Sequence, residues 1–493
     1  MLNSGHTIVE NIRTAAYRAA DLLRGFAYWS VLIEESSKLT TSVRRGVADA
    51  PEREILKAAL ITLGSGNNVS YASTTDLSES GLRRAITSAK SRAEALTAFR
   101  LMEMACWPTA DQKGQWQSPT GAKMSLKDRF DYMRALDAAM HTDTRIKNRQ
   151  VVLTSMDRQR FFMHSAGAEQ IQETQLCIPH MEATASDGHE AQSRSYRPYV
   201  QGSLNAETLT ALDFTPVTAQ RMAAEALELL LAPECPTGTM DIVLSPAQMT
   251  LQIHESIGHP LELDRILGDE RNYAGWSFVK ASDFGSLRYG SPLLNILFDP
   301  GEKGELAGYA YDDEGTPALP TYLIQNGILQ RPLGGARSAS RAGMEAVACA
   351  RVCDPLRQPI DRMANINLQP GQSSFQEMIA QVEKGIWMDE NRSWSIDQRR
   401  DKFQFGCEWG RRIENGTLGD WVKNPNYRGR TLIFWNWDPH WRQLVIVILT
   451  RLREHPIAVR VSPIRPLQWG MPLRFVCFVI LKPLVVMHDG NYR

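Results

Sequence analysis

The 493-residue chain has no run of about 18 uncharged apolar residues, so no membrane-spanning helix is expected. Its opening, MLNSGHTIVENIRTAAYRAADLL, alternates polar and apolar residues too soon for a secretory signal. Cysteine is scarce, seven in all and an odd number, which argues against a disulfide framework and for a reducing compartment. The cytoplasm is the expected location. No internal repeat or low-complexity segment is present, which excludes solenoid and fibrous architectures. No Gly-x-Ser-x-Gly elbow supports a serine hydrolase, and Gly334-Gly335 is too short for a phosphate-binding loop. Asp312-Asp313-Glu314 lacks the alternating oxygen ligands of a calcium loop and reads as a polar turn ending at Gly315-Thr316-Pro317.

Net charge is also missing, with 55 Lys+Arg against 55 Asp+Glu. The zero is a cancellation. Residues 441–493 carry 8 Lys+Arg against Glu454 and Asp489, so that segment is +6 and residues 1–440 are −6. Charge asymmetry of this kind usually marks a nucleic-acid or membrane-binding tail. Here Arg451, Arg453, Arg460, Arg465 and Arg474 are interleaved with prolines and β-branched residues and form no helical stripe, which disfavours nucleic acid as a partner.

What is present is an ordinary globular pattern, 43% hydrophobic and 22% charged. Helical spacing predicts helices over 6–25, about 76–100, 125–140 and 218–231. Strands are expected at 28–34, 69–74, 150–155, 160–164 and 240–245, a strand or alternatively a helix at 55–63, and a polar loop at 185–197. The expected fold class is α+β. The expected divisions are 1–115, an N-terminal α+β domain, 116–228, a central domain, and 229–493, a C-terminal domain.

The chemistry concentrates in Gln252-Ile-His-Glu-Ser-Ile-Gly-His-Pro-Leu-Glu-Leu-Asp264. Zinc peptidases commonly use H-E-x-x-H, whose i, i+4 spacing sets both imidazoles on one helix face. The spacing of His254 and His259 is i, i+5, which places them about 140° apart on an ideal helix. They share a metal only if the helix distorts between them, and Gly258 and Pro260 make a break there reasonable. His254 and His259 would then be neutral ligands, and Glu255 the general base acting on the metal's water. A catalytic zinc needs a third protein ligand.

This segment resembles the zinc-peptidase motif of the TldD/PmbA family, once called modulators of DNA gyrase, and is similar to the TldD-type member rather than its TldE-type partner. Further landmarks follow in family order: VSYASTTDLSESGLRRAI, Tyr309-Ala-Tyr-Asp-Asp-Glu-Gly-Thr-Pro317, Leu323-Ile-Gln-Asn-Gly-Ile-Leu329, Arg362-Met-Ala-Asn365 and Ile413-Glu-Asn-Gly-Thr-Leu418. The resemblance implies an N-terminal α/β sandwich-like half and a β-rich C-terminal half carrying the metallopeptidase helix, with Zn2+ as cofactor. It implies unfolded or short peptides as substrates inside a dimer's chamber, and a TldE/PmbA-like partner subunit or a homodimer. It matches His254 and His259 to the ligands and Glu255 to the catalytic glutamate. Glu262 and Asp264 are candidates for supporting the imidazoles from behind.

The family's third ligand, a cysteine in a Cys-Gly-Lys segment near the C-terminus, has no counterpart here, and the likeness stops near Arg430–Trp435. One permitted set of codons for His455–Gly470, read two bases later, spells Ser-Asp-Cys-Gly-Lys-Gly-Glu-Pro-Asn-Gln-Thr-Ala-Ser-Val-Gly. The reading frame is therefore expected to be lost near Val445–Thr450, leaving 445–493 out of frame and the missing cysteine codon astride Ile457 and Ala458. Cys349, Cys353, Cys407 and Cys477 are the in-frame substitutes to consider. Weak zinc binding, poor hydrolysis and poor solubility are expected of such a chain. The alternative reading is a non-catalytic subunit of a TldD/TldE-like complex that binds peptides or a partner.

Overall fold

A computed structural model describes residues 4–65, 68–96, 111–436, 445–449 and 476–488, the last two segments by backbone alone. The N-terminal half is built on one twisted sheet, nine-stranded among the described residues. Its main path runs Asn68–Thr74, Glu52–Ser65, Tyr28–Arg44, Ile146–His164, Glu169–Ser186 and Lys113–Gln117. All these neighbours are antiparallel except the last pair. Asn68–Thr74 and Gly238–Leu244 match the expected runs, Tyr28–Arg44 and Ile146–His164 are far longer than theirs, and Ala191–Tyr196 is a strand where a polar loop is expected. The division at 115/116 falls inside the strand Lys113–Gln117, so residues on both sides of it share this sheet.

Strand periodicity of two gives each face a separate task. Val31, Ile33, Val43, Val151, Leu153, Phe161 and Met163 point to one face. Helices Ser4–Leu22 and Glu79–Leu96 cover one end of it through Ile12, Ala16, Leu82 and Ile86. Helices Leu126–Met140 and Pro216–Leu231 cover the other end through Met133, Leu136, Met222 and Ala223. The opposite face carries Glu34, Arg158, Arg160, Gln172 and Thr174, and it meets the C-terminal half.

That junction is polar and buried. Arg160 donates through Nε to Glu34 (2.6 Å) and through Nη1 to Asp313 (2.5 Å). The Gln172 amide brackets the backbone at Ala310 and Tyr311. Asp312 accepts from the amides of Glu314, Thr316 and Ala350, and Asp313 accepts from that of Val352. The Asp312-Asp313-Glu314 turn is thus a turn as expected, but a buried joint between the halves rather than a solvated loop.

The C-terminal half holds a second sheet in the order Gly238–Leu244, Lys384–Ile396, Lys402–Glu414, Pro425–Arg430, Val476–His488. Val476–His488 also pairs with Gly238–Leu244, so these five strands close into a ring. The out-of-frame reading of 445–493 bears mainly on residues outside the description, since 450–475, with Ile457 and Ala458, lie there. The core is formed by Ile242, Leu244, Met249, Ile257, Leu261, Phe405, Tyr427 and Trp435, among others. No helix among the described residues is long and apolar enough to cross a membrane.

Candidate metal centre

Strand Gly238–Leu244 runs directly into the helix Pro246–Ile253, whose entry is set by Ser245. The Ser245 hydroxyl accepts from the Gln248 amide (3.2 Å), and Pro246 occupies a first-turn position where its missing N–H costs nothing. The helix does not continue regularly. Residues His254–Gly258 form a π-helical turn, with the His259 amide donating to the His254 carbonyl. Such i→i+5 turns are rare and occur often at functional sites.

Local chemistry accounts for the turn. Pro260 has no N–H for the Ser256 carbonyl four residues back. The Tyr289 hydroxyl donates to that carbonyl instead (2.5 Å). The Ser256 hydroxyl donates to the Gln252 carbonyl (2.5 Å) and accepts from Trp435 Nε1 (2.8 Å) and Gln252 Nε2 (2.9 Å). Gly258 gives close approach: a Cβ there would press on the end of the Met363 side chain, which would have to move.

The consequence is that the i, i+5 histidines share a face after all. The rings of His254 and His259 are 4.6 Å apart, edge to face at 84°. Ligand atoms of His254, Glu255 and His259 all lie within 4.8 Å of one another, and this is the one such group found among the described residues. His254 is reached by solvent although protein atoms crowd around it. Burial, and then the His259 imidazole, push its pKa below the usual histidine value, so it is neutral and able to ligate at pH 7.

Of the two carboxylates expected to support the imidazoles, Glu262 touches His259, whereas Asp264 touches Asp361 and Arg362. Glu262 is fully buried, and its Oε2 lies 2.9 Å from His259 Nδ1. With the proton on Nδ1, Nε2 of His259 is free to ligate. The same Oε2 accepts from Arg265 Nε (3.2 Å) and Nη2 (3.0 Å), with Arg362 Nη1 at 3.6 Å. Burial alone would raise the Glu262 pKa, but the His259 hydrogen bond and the two arginines outweigh it and hold it low. Asp264 forms a reciprocal pair with Asp361, each carboxylate accepting from the other's backbone amide (3.1 and 3.0 Å). Burial and the Asp361 charge push Asp264 up to about 8, so it is largely protonated at neutral pH.

Three contributors were not singled out by motif reading: Arg265, Asp361 and Arg400. Arg400 Nη1 lies 2.5 Å from Glu255 Oε2, across 145 residues of sequence. No local pattern advertises such a contact. The Arg-Met-Ala-Asn landmark was a clue to Arg362 alone.

The two imidazoles, one backed by a buried carboxylate, suit a divalent metal, with the Glu255 carboxylate within reach beside them. The substitute cysteines do not join it. Cys349 and Cys407 are fully buried, and burial raises both thiols well above their ordinary pKa, which keeps them protonated. Cys353 is exposed and outside the group, and the Cys477 side chain lies outside the description.

The family model of the PmbA/TldA metallopeptidase C-terminal domain matches residues 237–436, from the strand before the motif to the edge of the divergent tail. Residues 237–436 thus resemble the C-terminal domain of the TldD/PmbA family. A metalloprotease of Methanocaldococcus jannaschii is 30% identical over 291 residues, covering 59% of this chain and 61% of that protein. A TldD-homologue metalloprotease of Haemophilus influenzae is 30% identical over 215 residues, covering 44% of this chain and 42% of that one. The chain spans 61% and 65% of the lengths of two archaeal metalloprotease relatives, those of Methanocaldococcus jannaschii and Methanothermobacter thermautotrophicus. The TldD/PmbA fold extends across both halves. A modulator of DNA gyrase from Thermotoga maritima superposes at a TM-score of 0.75 with 16% identity, covering 96% of this chain and 100% of that one. TldE from Thermococcus kodakarensis superposes at 0.67 with 12% identity, covering 97% and 99%.

Proposed function

We propose that this chain is a zinc-dependent peptidase of the TldD type, with His254 and His259 as metal ligands and Glu255 as general base. The observation that carries the reading is the π-helical turn, which brings two histidines of the wrong helical spacing to 4.6 Å. One relative, from Saccharolobus solfataricus, bears the name zinc metalloprotease, which favours zinc among divalent ions. Bound at His254 and His259, zinc would supply Lewis acidity, polarising a scissile carbonyl and acidifying water.

The chain's own residues do the rest. Glu255, held through Oε2 by Arg400, presents its other oxygen to take a proton from attacking water and return it to the leaving amine. Glu262 fixes the His259 tautomer. Unfolded or short peptides are the substrate class, and a TldE-like subunit or a second copy is the partner.

The runner-up, a non-catalytic subunit, is favoured by one observation: no third ligand of the cysteine type joins the described site. Zinc stoichiometry of the purified chain, together with peptide hydrolysis by the wild type and Glu255→Ala, separates the two. The enzyme reading, impaired by the missing cysteine ligand, expects weak zinc binding lost in His254→Ala and low hydrolysis abolished by Glu255→Ala. Zinc-free protein whose peptide binding is indifferent to Glu255→Ala would establish the subunit instead.

A further inference from the structure

A glutamate beside a two-histidine site can serve in either of two ways. It can bind the metal as a third donor, or stay free as a base. Carboxylates are good zinc ligands, and the Glu255 oxygen lies within 4.8 Å of both imidazole donors. With no cysteine ligand in the described group, an unrestrained Glu255 is the nearest candidate to complete the coordination. The base would then be lost.

Arg400 opposes that outcome, and the fold takes pains to aim it. It sits in the hairpin between strands Lys384–Ile396 and Lys402–Glu414, with φ of +65°, a left-handed conformation uncommon for a residue with a side chain. The hairpin is tied on all sides. Asp397 Oδ1 accepts from the amides of Asp401 (2.8 Å) and Lys402 (3.1 Å), and the Arg400 amide donates to the Asp397 carbonyl (2.9 Å). The Thr431 hydroxyl donates to the Arg400 carbonyl (2.7 Å). The carbonyls of Gln398 and Arg399 accept from the amides of Trp276 (3.0 Å) and Phe278 (2.9 Å).

The guanidinium itself has little else to do. Its Nε is buried with no hydrogen-bond partner, and Nη2 reaches the Ala274 carbonyl only at 3.5 Å. Its short bond is the one to Glu255, between side chains 15% and 8% exposed. This differs from a surface arginine that has found a convenient acid.

We propose that Arg400 is a positioning residue that assigns Glu255 its role, holding the carboxylate out of the metal's coordination so that it stays a base. This rests on the metal-site reading above. Removing Arg400 should convert Glu255 into a third ligand, so metal binding becomes tighter while hydrolysis falls.

The test is metal affinity of the full-length protein, read by chelator competition with zinc and by the visible absorption of the cobalt-substituted protein. Arg400→Ala is expected to bind zinc at least about tenfold more tightly than the wild type, with altered cobalt bands that report an added ligand. Arg400→Lys, which keeps the charge, should stay close to the wild type. In Glu255→Gln, adding Arg400→Ala should bring no further gain. Zinc affinity unchanged or weakened by Arg400→Ala, with unaltered cobalt bands, would overturn the proposal, and Arg400→Gln serves equally should the alanine variant not fold. Zinc binding indifferent to His254→Ala would instead overturn the metal-site reading, and this proposal with it.

Discussion

Glu262→Gln is the substitution that most directly probes how the site is held. The native carboxylate is fully buried and is shared by His259, Arg265 and Arg362. Gln preserves its volume and removes its charge. Arg362 keeps an alternative in Glu270, 2.7 Å away, but the 1%-exposed side chain of Arg265 loses its carboxylate partner and keeps only neutral acceptors, the glutamine oxygen and the Ala274 carbonyl. Breaking one side of a buried ion pair costs about 3–5 kcal/mol. For a domain of this size, the lower figure corresponds to a fall in melting midpoint of roughly 6–12 °C.

A separate effect falls on the metal. Loss of the carboxylate behind a ligating histidine typically weakens metal binding by about 10–100-fold. The assay is thermal unfolding of the metal-free protein, with chelator competition for zinc on the same sample. If zinc affinity stays within about twofold of wild type while stability falls, Glu262 packs the site but does not tune His259, and the argument for the imidazole's orientation is refuted. If stability is unchanged, the buried-pair account fails.

The other predictions follow from single contacts. Gly258→Ala drives a Cβ into Met363 Sδ and should cost about 1–3 kcal/mol in denaturant unfolding, with Met363→Ala recovering most of the loss. Failure to recover would move the cost into the backbone of the π-helical turn. Asp264 is raised to about 8 from an ordinary 3.8, so the native state binds a proton that the unfolded state has released. Its stabilising contribution is complete below the unfolded value and declines as pH rises from about 4 to about 8, by at most about 1.4 kcal/mol per unit. Asp264→Asn, which retains the oxygen for the Asp361 amide, should flatten the pH dependence of the unfolding midpoint in that window. Finally, the nucleotide sequence over codons 440–460 should yield Cys-Gly-Lys in the shifted frame, and any other string rejects the frameshift.

The helices were legible because their apolar stripes face a single sheet, as Ile12, Ala15, Ala16 and Ala19 do. Tyr28–Arg44 and Ile146–His164 were read too short for a physical reason. Beyond Glu34 and before Phe161 the inward positions carry Ser36, Arg158 and Arg160, polar residues that face the other half of the molecule rather than water. Alternation of apolar and polar residues cannot reveal a buried polar joint. At the centre, His254, Glu255 and His259 were visible as a string, and Gly258 with Pro260 marked where the helix departs from regularity. Arg400, Asp361 and Arg265 were not visible, because their meaning comes from the tertiary fold: the Asp264–Asp361 contact spans 97 residues.

The ring of strands in the C-terminal half sets an order of events for the growing polypeptide. The strand that leads into the metal-site helix and the strand that closes the ring are about 240 residues apart in sequence, a separation that makes closure slow and late. Until Val476–His488 arrives, Gly238–Leu244 and Pro425–Arg430 each present an unpaired edge, a template for pairing with another chain. Whatever sequence occupies this last position, soluble yield is expected to depend on how well it covers those two edges, although the histidines and their glutamate lie far upstream.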